Sequence, residues 1–177
     1  MKKLFIIALL CLGLQSFAQI GNLYIYNLSS LPIQYELLAY ENNSESCYPT
    51  FGFGNPPSSA GFTLAAGQTH VFNGFNYPTT PNFPTPPTGG WKWRKVVDST
   101  NTAVMIPPAV AQVNAGTVNS AIQARWNYFK LTVTPTVYAG IGFTSTCRFI
   151  DGTTYTNGTF VASIVVSGTD TIVTLTN

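Results

Sequence analysis

The chain has 177 residues, and only 8% of them are charged against the ~25% usual in a soluble domain; Thr, Ser, Asn and Tyr supply the polarity instead. Once Lys2 and Lys3 are set aside, acidic and basic residues balance. A neutral chain has no general attraction for nucleic acid or for an anionic lipid surface, because both depend on excess Lys and Arg. Those two partner classes are excluded first.

The chain opens with Lys2 and Lys3, an apolar run from Leu4 to Leu14, and then Ser16-Phe17-Ala18. This is the pattern of a secretory signal peptide over residues 1–18, cut after Ala18. The run is well short of the ~20 residues a bilayer-spanning helix needs, and no other stretch is apolar for as long, so no membrane span is expected. Cys11 reads as a small apolar residue of the signal core rather than a lipidated cysteine, since Ala8-Leu9-Leu10 lacks the small residue expected just before one. Export from a bacterial cell is the expectation, with the mature chain secreted, periplasmic or at the cell surface. Residues 19–177 suit one domain with a sizeable core.

Short alternating runs rich in Val, Ile, Thr, Tyr, Phe and Trp recur through the mature chain, without helical periodicity. Ten strands are predicted, near 22–28, 32–40, 61–65, 69–74, 91–97, 103–106, 126–134, 137–144, 159–167 and 170–176. Ile33, Tyr35, Leu37 and Ala39 share one strand face; so do Phe129, Leu131 and Val133, and again Phe160, Ala162, Ile164 and Val166. One buried face per strand describes an all-β fold of two antiparallel sheets packed as a β-sandwich. If direction reverses at every connection, the short turns at 29–31, 66–68, 98–102, 135–136 and 168–169 all fall at one end. The long loops 41–60, 75–90, 107–125 and 145–158 then cluster at the other. That arrangement brings Cys47 and Cys147 to one end, as a disulfide requires, and keeps 117–124 from being a further crossing strand. In an oxidising compartment the two cysteines are expected to pair, which would stabilise the fold by roughly 4–5 kcal/mol in the chain-entropy account; two free thiols are the alternative. Pro78, Pro81, Pro84 and Pro87 recur every third residue, which predicts an extended polyproline II arm with these prolines along one edge.

The catalytic inventory is thin. His70 is the only histidine, and it reads as a surface or half-buried strand residue. One histidine and two paired cysteines cannot furnish a zinc site, and no Gly-x-Ser-x-Gly elbow accompanies a Ser-His-Asp relay. A glycosidase needs only two carboxylates, and Glu36, Glu41, Glu45, Asp98, Asp151 and Asp170 are the candidates; solvated loop acids are the simpler reading. Glu41, Asn43, Glu45 and Asp151 lack EF-hand spacing for calcium. The expectation is therefore a non-enzyme with no cofactor and no metal.

Aromatic residues rise above this background. Trp91 and Trp93 are expected on one strand face, with Lys92 and Arg94 on the other, and Tyr48, Phe51, Phe53, Phe75, Tyr77 and Phe83 fall in or beside the long loops. Two readings follow: the rings roof the core, or they form a platform on which a sugar ring or a protein side chain stacks. On the second reading Tyr48, Phe53, Tyr77, Phe83 and Trp91 are the ligand-binding residues. The chain then reads as an exported, non-catalytic binding or adhesion module for a polysaccharide or a protein; the alternative is a structural envelope or matrix protein without a ligand. Short acceptor patterns for glycosylation also occur, at Asn27-Leu28-Ser29, Asn42-Asn43-Ser44, Asn157-Gly158-Thr159, Asp98-Ser99-Thr100 and Asp170-Thr171-Ile172.

Overall fold

The structure is a computed structural model that describes residues 20–41, 48–53, 61–81, 83–100, 102–111, 124–133, 137–143 and 152–177. The signal segment, Cys47, Cys147 and 117–123 lie outside the described residues. Twelve strands form in chain order: β1 (Leu23–Asn27), β2 (Ile33–Glu41), β3 (Thr50–Phe53), β4 (Phe62–Leu64), β5 (Thr69–Phe72), β6 (Trp93–Val96), β7 (Val104–Ile106), β8 (Ala124–Val133), β9 (Val137–Gly142), β10 (Thr154–Thr156), β11 (Val161–Ser167) and β12 (Asp170–Thr176). A single helical turn covers 108–111. Among the described residues no helix is long and apolar enough to cross a membrane.

Two packed sheets result. The five-stranded sheet has the order β10-β11-β12-β1-β5; the seven-stranded sheet runs β7-β6-β3-β2-β8-β9, with β4 also paired to β2. Alternation drives the packing as expected: Ile33, Tyr35, Leu37 and Ala39 of β2 are all buried, as are Phe129 and Leu131 of β8 and Ala162 and Ile164 of β11. Val166 keeps the predicted parity but is 36% exposed, at the end of β11 that β10, paired only with Val161–Ser163, does not flank. β3 and β10 fall inside the predicted loops 41–60 and 145–158. β3 and β4 lie end to end along one edge of β2, opposite Leu38–Tyr40 and Ile33–Tyr35 respectively. Gly61 leads into β4 with φ of +81°, and a Cβ there would stand 2.0 Å from the Tyr35 carbonyl oxygen, so only glycine fits this approach to β2.

The predicted strand-by-strand reversal is corrected in two respects. β12 pairs with β1 in parallel, so the sandwich is not wholly antiparallel. Nor do the short turns gather at one end. The Gly168-Thr169 turn lies at the Leu23 end of β1, away from the turn that leaves Asn27; the 98–102 turn lies at the Tyr40 end of β2, away from the turn that enters Ile33. The reasons are that β5 and β6 both run away from the Asn27 junction, so the chain does not reverse between them, and that β10 adds a reversal between β9 and β11. The strands that precede the two cysteine-bearing segments, β2 and β9, flank β8 and both end towards its start.

Two of the four crossings between the sheets, β1 to β2 and β4 to β5, converge on Asn27. Its buried amide nitrogen donates to the carbonyl oxygens of Leu31 (2.8 Å), Leu64 (3.2 Å) and Ala65 (3.0 Å), while Oδ1 accepts from the Ser29 backbone nitrogen and hydroxyl (3.2 and 2.6 Å). An Asn27→Ala substitution takes the side-chain donor from the buried Leu64 carbonyl and the acceptor from Ser29, while the Leu31 and Ala65 carbonyls keep the Ser29 hydroxyl and the Gln68 amide; it should cost about 2 kcal/mol, since each buried polar group left unpaired costs ~1–3 kcal/mol. Urea denaturation followed by tryptophan fluorescence reads that loss directly.

Candidate functional site

Local sequence puts the aromatic rings between the sheet edge and the 73–92 arm. In β3 the short run Thr50-Phe51-Gly52-Phe53 turns Phe51 fully inward and leaves Phe53 half-buried, and β6 begins at Trp93, which is wholly buried. Trp91 stands before the strand rather than in it and is half-buried. Tyr77 fills the space between the two tryptophans, stacked on Trp91 at 5.2 Å and on Trp93 at 4.8 Å between ring centroids; its hydroxyl donates to the Lys92 carbonyl oxygen at 3.1 Å. Below this stack, the Trp93 indole donates to the Phe75 carbonyl oxygen at 2.6 Å, so the base of the arm is tied to the core.

Four of the five predicted binding rings are therefore neighbours. Phe53, Tyr77, Phe83 and Trp91 all pack around the fully buried Phe62, at 4.4, 6.0, 4.5 and 5.2 Å. Phe83 is only 8% exposed and belongs with the core, whereas Phe53, Tyr77 and Trp91 are half-buried at its outer margin. Tyr48 is half-buried beside Pro49 and forms no ring contact with the cluster among the described residues. The arm is not a continuous polyproline II helix: Phe83 donates its amide to Thr80 and Gly90 to Pro87, and such internal turn bonds are foreign to that helix. Pro78 is consequently buried while Pro81 and Pro87 are exposed.

Phe53 also lines a shallow notch of about 190 Å³ on the outer face, where β3 and β4 leave a gap along β2; Glu36, Leu38, Gly52, Gly61 and Arg94 complete it. This is smaller than the ~300–1,000 Å³ of small-molecule pockets. Glu36 pairs with Lys130 at 3.5 Å, Asp170 accepts from the Asn22 amide, and Asp98 accepts from Thr100 within its own turn. Those three acids are occupied separately; the side chains of Glu41, Glu45 and Asp151 lie outside the description. Among the described residues no three His, Cys, Asp or Glu side chains come together as metal ligands.

His70 is not at the surface. It is 1% exposed in β5, with Nδ1 2.6 Å from the Tyr35 hydroxyl and Nε2 buried without a hydrogen-bond partner. Alternation with Phe72 on the same inward face was the signal for this burial. Burial lowers the His70 pKa from 6.5 to about 4, and it raises that of Tyr35 well above the ordinary tyrosine value, with Tyr77 adding to the rise. Two acceptor patterns are likewise occupied by structure: Asn27 and Thr171 are both buried.

No protein-family profile, characterised protein or solved structure matches this chain.

Because His70 is the only histidine, the stability it controls can be isolated. The unfolded chain binds the proton more tightly than the folded one, so the His70 contribution is complete above pH 6.5 and is lost as the pH falls toward 4. Between pH 7 and 5, where carboxylates scarcely titrate, unfolding free energy from urea titrations should fall by about 2 kcal/mol, and a His70→Phe variant should show a nearly flat profile over the same range.

Proposed function

We propose that this chain is an exported, non-catalytic recognition module that binds a polysaccharide or a protein through the outer rings of the aromatic cluster, with Trp91, Tyr77 and Phe53 as the contact surface and Phe83 as their support. The observation that carries the reading is the Trp91–Tyr77–Trp93 stack. Its inner member is buried and hydrogen-bonded, so the two outer members hold fixed orientations while remaining partly open to solvent. A rigid ring offers a large contact area at little entropic cost, and its face suits the axial C–H groups of a sugar or an apolar side chain. Phe53 also borders the outer-face notch, where Glu36 and Arg94 are the charged lining groups. Tyr48 sits apart from the stack and would contribute, if at all, from its margin.

A structural role without a ligand is supported by a different feature. β7 is the edge strand of the seven-stranded sheet, and its Val104 and Met105 are 53% and 40% exposed, without a charge in the strand to blunt pairing with another chain.

A panel of insoluble and soluble polysaccharides distinguishes the two readings, with retention on the solid phase and tryptophan fluorescence measured together. Binding to one class is expected, weakened at least tenfold by Trp91→Ala, about 1.4 kcal/mol. Absence of binding across the panel together with concentration-dependent assembly would favour the structural reading, and binding that survives Trp91→Ala unchanged would move the site elsewhere.

A further inference from the structure

The buried His70–Tyr35 pair serves neither the proposed contact surface nor any catalytic arrangement among the described residues, yet it touches the arm that carries that surface. Tyr35 comes from β2 and His70 from β5, so the pair bridges the two sheets. Among the described residues the bond to Nδ1 is the one hydrogen bond of the Tyr35 hydroxyl; with the phenol as donor only Nε2–H is left unpaired, whereas the opposite tautomer strands both the phenol hydrogen and Nε2, so we assign the imidazole proton to Nε2. Phe83, from the arm, closes over the imidazole edge-on at 5.0 Å and also packs on Phe62 at 4.5 Å.

A second proton on this ring has only one place to go. It must reach Nδ1 from solvent, and the Tyr35 hydroxyl must then turn from donor to acceptor, its own hydrogen losing its partner. The resulting imidazolium would hold an unmatched Nε2–H in an apolar enclosure, an arrangement that costs several kcal/mol unless water or an anion reaches it. Among the described residues no anion is at hand. The titratable groups facing the pair are Tyr35 itself and, from the arm, Tyr77; β1 presents Ile25 opposite His70. The described carboxylates are committed elsewhere, Glu36 to Lys130 on the outer face, Asp170 to Asn22, and Asp98 within its turn. Tyr35 and Ile25 are held by strand pairing on both sides, whereas Phe83 is held by side-chain packing and a single turn bond to Thr80. Among the described residues the weakest wall of the enclosure is therefore Phe83.

We propose that His70 and Tyr35 form an acid-opened latch on the proline-rich arm: protonation of His70 drives Phe83 off the imidazole and admits water, while the two sheets stay folded. Burial alone accounts for the reluctance of His70 to take the proton, so opening the enclosure and protonating the ring are the same event seen from two sides. The latch holds whether or not the outer rings bind a ligand.

Solution NMR of the protein tests it, using the Phe62–Phe83 ring contact to report the arm and the stacked Tyr35–Phe129 contact, 5.2 Å apart, to report the core. As His70 titrates, the Phe62–Phe83 cross-peak should fall at least tenfold with a midpoint equal to that of the His70 Cε1–H shift, while the Tyr35–Phe129 cross-peak persists. In His70→Phe the Phe62–Phe83 contact should not respond to pH across that range. A contact that survives full protonation of His70, one lost together with Tyr35–Phe129, or one lost at a different midpoint overturns the latch. The wild-type midpoints decide the matter even where the variant does not fold.

Discussion

One buried amide holds the two sheets in register. The chain passes between the sheets at β1–β2 and again at β4–β5, and Asn27 hydrogen-bonds to backbone on both passages. Ser29 and the C-terminal Asn177, which exchanges hydrogen bonds with Ser30, extend this tie to the last strand. With the first strand pinned there, β12 can dock alongside it in parallel and complete the five-stranded sheet. A short polar side chain achieves this because an amide offers both donor and acceptor, and a buried turn needs both.

From the junction outward the core becomes steadily more aromatic. Phe72, Phe62 and Trp93 fill the space between the sheets, and Phe75 anchors the arm by accepting the Trp93 indole proton. Tyr77 and Trp91 then continue the same stack to the surface. Buried and half-buried rings are thus successive layers of one assembly, and the proposed contact surface is its outer layer. His70 lies beneath the layer that divides them, which is why its burial and the seating of Phe83 are linked.

Much of the fold was legible in the residues because period-two alternation is strong in β2, β8 and β11, where one face is buried. β3 and β10 escaped notice for physical reasons: each is three or four residues long, one interrupted by Gly52 and the other at a sheet edge with little inward surface. The parallel pairing of β1 with β12 leaves no mark in either strand, since parallel and antiparallel edges accept the same side chains. Asn27 and His70 are different cases. Each continues an inward series, Leu23-Ile25-Asn27 and His70-Phe72, and the alternation that was trusted for apolar residues also held for these polar ones. Tyr77 between the tryptophans was beyond sequence reasoning, since the fold of the arm depends on turn bonds at 80–83 and 87–90 that override the three-residue spacing of its prolines.

The central claim is that the cluster divides into rings that hold the fold and rings that the fold holds out. Urea midpoints of Phe62→Ala and Trp91→Ala, measured side by side at pH 7, test it most directly. Phe62→Ala should cost about 3–5 kcal/mol, as for other buried phenylalanines, and Trp91→Ala less than about 2 kcal/mol with the native circular dichroism retained. A loss at Trp91 equal to that at Phe62 would contradict the account, because the outer rings would then be core and nothing would be left to present.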